Sequence, residues 1–247
     1  MTAEFLHGED KKAYLVGREV AGMADSIWWV DRTRHELHHG DSIFPCDRGI
    51  EAFAVWQEQA LLLSSETDCL SLWDQDGLVR LTRVGVYPQD MAVADDVAVV
   101  CGGADCKLHL LELPGLYPRT SFLLPGMPER IALQDASAHI LALVTEPEIH
   151  TQLLLAELHT GRLHTQMKLP GIPGAIAADA DGLWLGVSGQ VMHLRRGTIR
   201  PDVTVEGIEM PERIDVCPGG IVVADALSAR SIRVLRDDEK KGALTLR

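Results

Sequence analysis

The chain has 247 residues, 46% of them hydrophobic, with a net charge of −13 from 23 basic and 36 acidic residues. Phosphate backbones and anionic lipid surfaces are held by Lys and Arg, so this balance works against nucleic acid and membrane as partners. No apolar stretch approaches the roughly 18 residues of a membrane helix, and the length suits one all-β domain with a large core.

In chain order, the dominant pattern is a repeat of about 40 residues, marked by Pro45, Pro88, Pro128, Pro173 and Pro211 at intervals of 43, 40, 45 and 38 residues. Before the first of these prolines, Phe5-Leu-His is expected to form an inner strand within residues 2–7, and Ala13-Tyr-Leu-Val16 a second strand. A shift of 43 residues lays Asp25-Ser-Ile-Trp-Trp-Val-Asp31 over Asp68-Cys-Leu-Ser-Leu-Trp-Asp74, so both read as third strands. Gly49 to Leu63 mimics a helix in its spacing, but the repeat register makes it strands. Behind the later prolines, Met91–Val93, Ile131–Leu133, Ile176–Ala178 and Ile214–Val216 read as inner strands. Second strands fall at Ala60–Leu63, Val97–Val100, Ile140–Val144, Leu183–Val187 and Ile221–Ala224. Third strands fall at Leu70–Trp73, Leu108–Leu111, Leu153–Leu155, Val191–Leu194 and Ile232–Leu235. Continuous apolar runs suit strands covered on both faces, whereas the alternation in Arg119–Leu124 and Arg162–Leu169 suits outer strands facing water. Proline fits a strand's first position, where its missing N–H breaks no central ladder. Gly242 to Arg247 is expected to close the last unit as its fourth strand.

Four short strands at this period predict an all-β chain: a single six-bladed β-propeller of four-stranded antiparallel blades. The blades are expected at about 1–44, 45–87, 88–127, 128–172, 173–210 and 211–247. The N-terminus has no basic region, apolar core or cleavage site of a signal peptide, which points to a cytoplasmic protein. Cys46, Cys69, Cys101, Cys106 and Cys217 are odd in number and lack metal-ligand spacing, so reduced thiols are expected. The five tryptophans read as packing residues.

Leu155-Ala-Glu-Leu-His-Thr-Gly161, followed by Leu169-Pro-Gly-Ile-Pro-Gly-Ala-Ile-Ala177 and Asp181-Gly-Leu-Trp184, resembles the YVTN-type propeller repeat. Asp68 to Asp74 is similar to the end of a WD repeat. The resemblance implies a quinoprotein-like or YVTN-like propeller, a group of binding proteins with a minority of enzymes.

Candidate chemistry sits just after the spacer prolines. Arg48, Gln89, Asp90, Glu129, Arg130, Glu212 and Arg213 enter inner strands, which converge on a propeller's channel. Such charges either pair with one another or bind a polar ligand; Arg48, Asp90, Glu129, Arg130, Glu212 and Arg213 are the ligand-binding candidates. Loops joining second and third strands bring Asp25, Asp68, Asp105, Glu148, Asp225 and Arg230 towards the same mouth, as turn formers or as oxygen ligands for a hard cation. In Arg34-His-Glu-Leu-His-His-Gly-Asp41, strand alternation sets His35 and His39 on one face and His38 on the other; the two histidines with Asp41 are either zinc ligands, short of the third fixed ligand a catalytic site wants, or part of a solvated outer strand. No nucleophile elbow, phosphate-cradling loop or His-Glu-x-x-His helix is present, and the chain contains no asparagine to match the metal site of gluconolactonase-like propellers. The reading is a non-enzymatic binding or scaffold propeller without cofactor or metal, recognising a protein partner or small polar ligand. The alternative is a lactonase-like hydrolase that works through channel-mouth carboxylates, with or without a divalent metal.

Overall fold

The computed structural model describes residues 13–15, 28–217, 220–227, 230–236 and 244–246. Their regular elements are all strands, in six antiparallel sheets of four. The first sheet holds β1 (Ala13–Leu15), β2 (Trp28–Asp31), β3 (Glu36–His39) and β4 (Ser42–Pro45). The second holds β5 (Ile50–Trp56), β6 (Gln59–Ser64), β7 (Cys69–Asp74) and β8 (Gly77–Arg83). The third holds β9 (Pro88–Ala94), β10 (Val97–Gly102), β11 (Lys107–Glu112) and β12 (Tyr117–Leu123). The fourth holds β13 (Met127–Gln134), β14 (Ser137–Val144), β15 (His150–Glu157) and β16 (Leu163–Pro170). The fifth holds β17 (Pro173–Ala178), β18 (Gly182–Val187), β19 (Gln190–Arg195) and β20 (Pro201–Glu206). The sixth holds β21 (Pro211–Cys217), β22 (Gly220–Asp225), β23 (Arg230–Arg236) and β24 (Leu244–Leu246).

The sheets pack face to face in chain order. Leu61, Leu63, Leu70 and Leu72 of the second sheet meet Met91, Ala98, Val100 and Leu111 of the third in one apolar cluster. Between the fifth and sixth, Trp184, Val191 and Val205 meet Ile214, Ile221 and Val223. Each fully buried side chain of this size contributes about 1.5–3 kcal/mol, which explains why second and third strands read as unbroken apolar runs.

A polar latch crosses the fifth sheet. Asp179 Oδ1 accepts the N–H groups of Asp181 and Gly182, each at 2.8 Å, closing the turn between β17 and β18. Its other oxygen accepts Trp184 Nε1 at 2.8 Å, and Gln134 of the fourth sheet donates to the carbonyls of Asp179 and Gly182. Trp184 packs against the ring of His193, which pairs with Asp202 at 2.7 Å. Asp202 is held below the usual carboxylate range, because hydrogen bonds from His193 and Arg195 outweigh the opposing effect of burial.

The first sheet departs from the repeat register. The expected inner strand at 2–7 lies outside the described residues. Ala13–Leu15, expected to be a second strand, pairs only with Trp28–Asp31 among the described residues and stands first in its sheet. Trp28 Nε1 donates to the carbonyl of Glu58 in the β5–β6 turn, and the Phe44 ring lies 6.0 Å from that of Trp73 on β7. The sheet order β1-β2-β3-β4 sets β2 in second place, so the 43-residue shift aligned it one strand too far out. The extra strand is β4, which continues the short β3 hairpin and absorbs Pro45. Pro45 is therefore no spacer: Ile50 occupies the position that Pro88, Pro128, Pro173 and Pro211 hold elsewhere.

Candidate functional site

That equivalence rests on a recurring backbone feature. Each of β5, β9, β13, β17 and β21 carries a β-bulge directly after this position, between Ile50 and Ala52, beside Pro88–Asp90, and between Pro128–Arg130, Pro173–Ala175 and Pro211–Arg213. A bulge leaves one residue outside the ladder and re-aims its neighbours. The bulged residues are Glu51, Gln89, Glu129, Gly174 and Glu212. Gly174 is the one without a side chain, and a Cβ there would overlap the Pro211 carbonyl oxygen.

These strand ends surround a cavity of about 260 Å³ to which all six sheets contribute, among them Arg32, Glu51, Asp90, Arg130, Glu212 and Arg213. Strand direction places it at the face where inter-sheet connectors and second-to-third-strand loops open. Four of the six candidates therefore line one space. Glu129 lies beside it, with its carbonyl accepting Arg130 Nη1 at 2.7 Å. Arg48 is not among the lining residues: it precedes the Gly49 turn, and its carbonyl accepts Ser64 Oγ at 2.6 Å. Glu51 and Arg32 line the cavity without having been foreseen. Their signal was Ile50-Glu-Ala-Phe53, which matches Pro128-Glu-Arg-Ile131 once proline is not required at the first place.

The cavity charges are held by the backbone as well as by one another. Arg130 Nε donates to the Gly174 carbonyl at 2.7 Å, and Arg32 to the Glu51 carbonyl at 2.8 Å. Arg213 pairs with Asp215 at 3.0 Å. Asp90 bridges two sheets: Oδ1 accepts the N–H of Met91 on its own strand at 2.8 Å, and Oδ2 that of Ile131 on the next at 3.0 Å. Burial pushes its pKa up to about 6 despite the pull of Arg130, the two N–H groups and Arg213. Burial also raises Glu129, Arg130 opposing and Glu51 reinforcing the shift. A carboxyl near 6 resembles a catalytic acid or base, but both Asp90 oxygens already receive backbone donors, which makes it a latch between strands.

Asp68, Asp105, Glu148 and Asp225 are not among the lining residues, and the three aspartates tie down loops. Asp68 accepts the N–H of Tyr87 at 2.8 Å and Asp225 that of Met210 at 3.0 Å, while Asp105 pairs with His109 at 2.9 Å. This is the turn-forming role that short carboxylates fill readily. Asp25 and the Arg230 side chain lie outside the described residues. His38 and His39 stack on Trp29 and Trp28 at 3.7 and 4.0 Å, and among the described residues no group of three His, Cys, Asp or Glu has metal-binding geometry.

No protein-family model and no curated protein matches the chain. Solved structures do. Kuenenia stuttgartiensis hydrazine synthase superposes with a TM-score of 0.65 at 11% identity, over 87% of this chain and 72% of that one. U3-55K gives 0.65 at 14%, over 90% and 76%. The Neurospora crassa Pan2 WD40 domain gives 0.62 at 10%, over 80% and 65%. At such identities the likeness shows the fold alone, and that fold is of the propeller type.

Proposed function

We propose that the chain is a six-bladed β-propeller of the YVTN-like, quinoprotein-like kind and serves as a docking platform for a basic, apolar segment of a partner protein. A cavity shared by all six sheets supports the closed ring. The Thr160-Gly161 turn, with Gly161 at φ +70°, supports the repeat type. One observation carries the function: Val86, Tyr87, Ile149, Ile172, Met210 and Leu227 are all exposed, and all sit in loops that open on the cavity's face. Single exposed apolar residues are ordinary, but a set gathered on one face marks an interaction surface.

Tyr87 is the sharpest case. It is 54% exposed at φ +51°, a left-handed conformation that costs a bulky residue about 1–3 kcal/mol. The Asp68 carboxylate holds it there. Glu146, Glu148 and Glu209 are exposed in the same loops, and Glu66 in the β6–β7 loop of the same face, and they favour a basic segment. The cavity is smaller than the ~300–1,000 Å³ of ordinary small-molecule sites, a size for one inserted side chain.

The test is a panel of decapeptides alternating Leu with Lys or Arg, followed by fluorescence anisotropy. The native protein should bind them in a salt-sensitive manner. Tyr87→Glu/Ile172→Glu/Met210→Glu should weaken them at least about tenfold, or 1.4 kcal/mol, with an unchanged circular dichroism spectrum. Absence of binding, or equal binding by the triple variant, would overturn the reading.

We also propose a reducing, cytoplasmic compartment, the reading favoured by an odd number of cysteines without metal-ligand spacing. Thiol titration of denatured, non-reduced protein should find five groups; three would mean a disulfide. In the native protein Cys101 should stay silent, since burial raises its thiol well above the usual range, and Cys46 should react slowly because burial and nearby carboxylates push it up to about 11.

A further inference from the structure

Among the described residues every sheet ends in an outer strand with a neighbour on one side only, and such edges are open templates for another chain. Four of them contain a proline, inside β12 at Pro118 and at a strand end at Pro45, Pro170 and Pro201. β8 has seven residues and no proline. All the outer strands from β8 to β20 carry a bulge, at Val79, Arg119, Gln166 and Asp202. Gln166 and Asp202 turn their polar side chains onto His139 and His193. Val79 is instead exposed, together with Leu78 and Leu81 on the same strand. Beyond the bulge, Arg80–Arg83 pairs in straight register with Cys69–Leu72 and has no strand on its outer side among the described residues.

The charge of this edge is opposite in sign to the net charge of the chain. β8 bears Arg80 and Arg83 and no carboxylate, β12 adds Arg119, and the Arg80 guanidinium lies 5.9 Å from the centre of the Tyr117 ring, joining the two edges. Arg83 approaches Asp68 at 3.7 Å in an exposed pair, which a partner's carboxylate can replace at little cost. In a protein of net charge −13, this is a local reversal.

We propose that β8 is a docking edge for an acidic, extended segment of a partner protein, which adds to the second sheet as a fifth strand. Main-chain pairing along Arg80–Arg83 supplies affinity, and alternate side chains supply specificity. The segment's carboxylates meet Arg80, which reaches toward Tyr117, and the neighbouring Arg119; its apolar residues cover Leu78 and Leu81 on the opposite face, where Arg83 adds positive charge at the strand's end. A second copy is the poorer occupant, because two β8 strands side by side would set arginines against arginines.

The test uses a capped decapeptide alternating Glu with Val, its Lys counterpart, and the Glu peptide N-methylated at alternate amides. The Glu peptide should bind the native protein. The Lys peptide and the methylated peptide should each bind at least about tenfold more weakly. Arg80→Glu/Arg83→Glu, on an exposed edge, should remain folded and reverse the preference. The mouth variant Tyr87→Glu/Ile172→Glu/Met210→Glu should bind the Glu peptide normally, so this inference and the mouth reading fail separately. Equal binding of Glu and Lys peptides, tolerance of N-methylation, or loss of Glu-peptide binding in the mouth variant would overturn it. So would sedimentation showing a dimer that Arg80→Glu/Arg83→Glu dissolves, since the occupant would then be a second copy.

Discussion

Replacing Trp184 with alanine is expected to destabilise the protein by about 3–5 kcal/mol, the range for emptying a buried tryptophan site. For a chain of this size that corresponds to a fall in Tm of about 6–20 °C. Trp184 is fully buried and fills the contact between the fifth and sixth sheets. Its indole N–H also completes the Asp179 latch, so alanine leaves both a void and a carboxylate oxygen short of a donor. Trp184→Phe separates the two: it retains most of the volume and should cost about 1–3 kcal/mol, near the penalty for an unmet buried polar group. Thermal unfolding followed by circular dichroism gives both numbers. Equal losses for the two variants would show that the hydrogen bond, and not the packing, dominates.

The second large effect belongs to Asp90. Its folded pKa of about 6 lies above its ordinary 3.8, so the folded state holds this proton more tightly than the unfolded chain. The group's stabilising contribution is therefore complete below about pH 4 and is lost as pH rises towards and through about 6, up to about 3 kcal/mol in all. Asp90→Asn carries no such titration. Urea titrations at pH 4 and pH 7 should show the variant gaining on the native protein at the higher pH by up to that amount. The other carboxylates act in both proteins and cancel. Asp90→Ala should lose stability at both pH values, because the Met91 and Ile131 N–H groups lose their acceptor. A pH-independent difference between native protein and Asp90→Asn would place the Asp90 pKa near its ordinary value and leave burial of its charge without cost.

The strands were legible because blades in face-to-face contact bury both sides of their middle strands. Ala60–Leu63, Val97–Val100 and Leu183–Val187 announce themselves as apolar runs and stand as β6, β10 and β18. The clustering of charge was legible for a related reason: Asp90, Arg130, Glu212 and Arg213 interrupt an otherwise apolar inner strand at one recurring place. The register of the first units was not legible. Pro45 looks like the other spacers, and only the pairing of β4 with β3 shows that it ends one sheet instead of opening the next. That single displacement put Arg48 where Glu51 stands.

What the sequence determined by itself was periodicity, strand type and the site of charge, all of which follow from local alternation of burial along the chain. Tertiary structure alone decided which charges meet. Arg130 reaches the Gly174 carbonyl 44 residues away and Asp90 the N–H of Ile131 41 residues away, distances over which no local pattern carries information. It also decided that Asp68 and Asp225 face loop N–H groups and not the cavity, and that Val86, Tyr87, Ile172 and Met210 share one face. Those outcomes depend on where each bulge and connector bends the backbone, and a bend that costs a few kcal/mol is stable only when the neighbouring sheet is there to hold it.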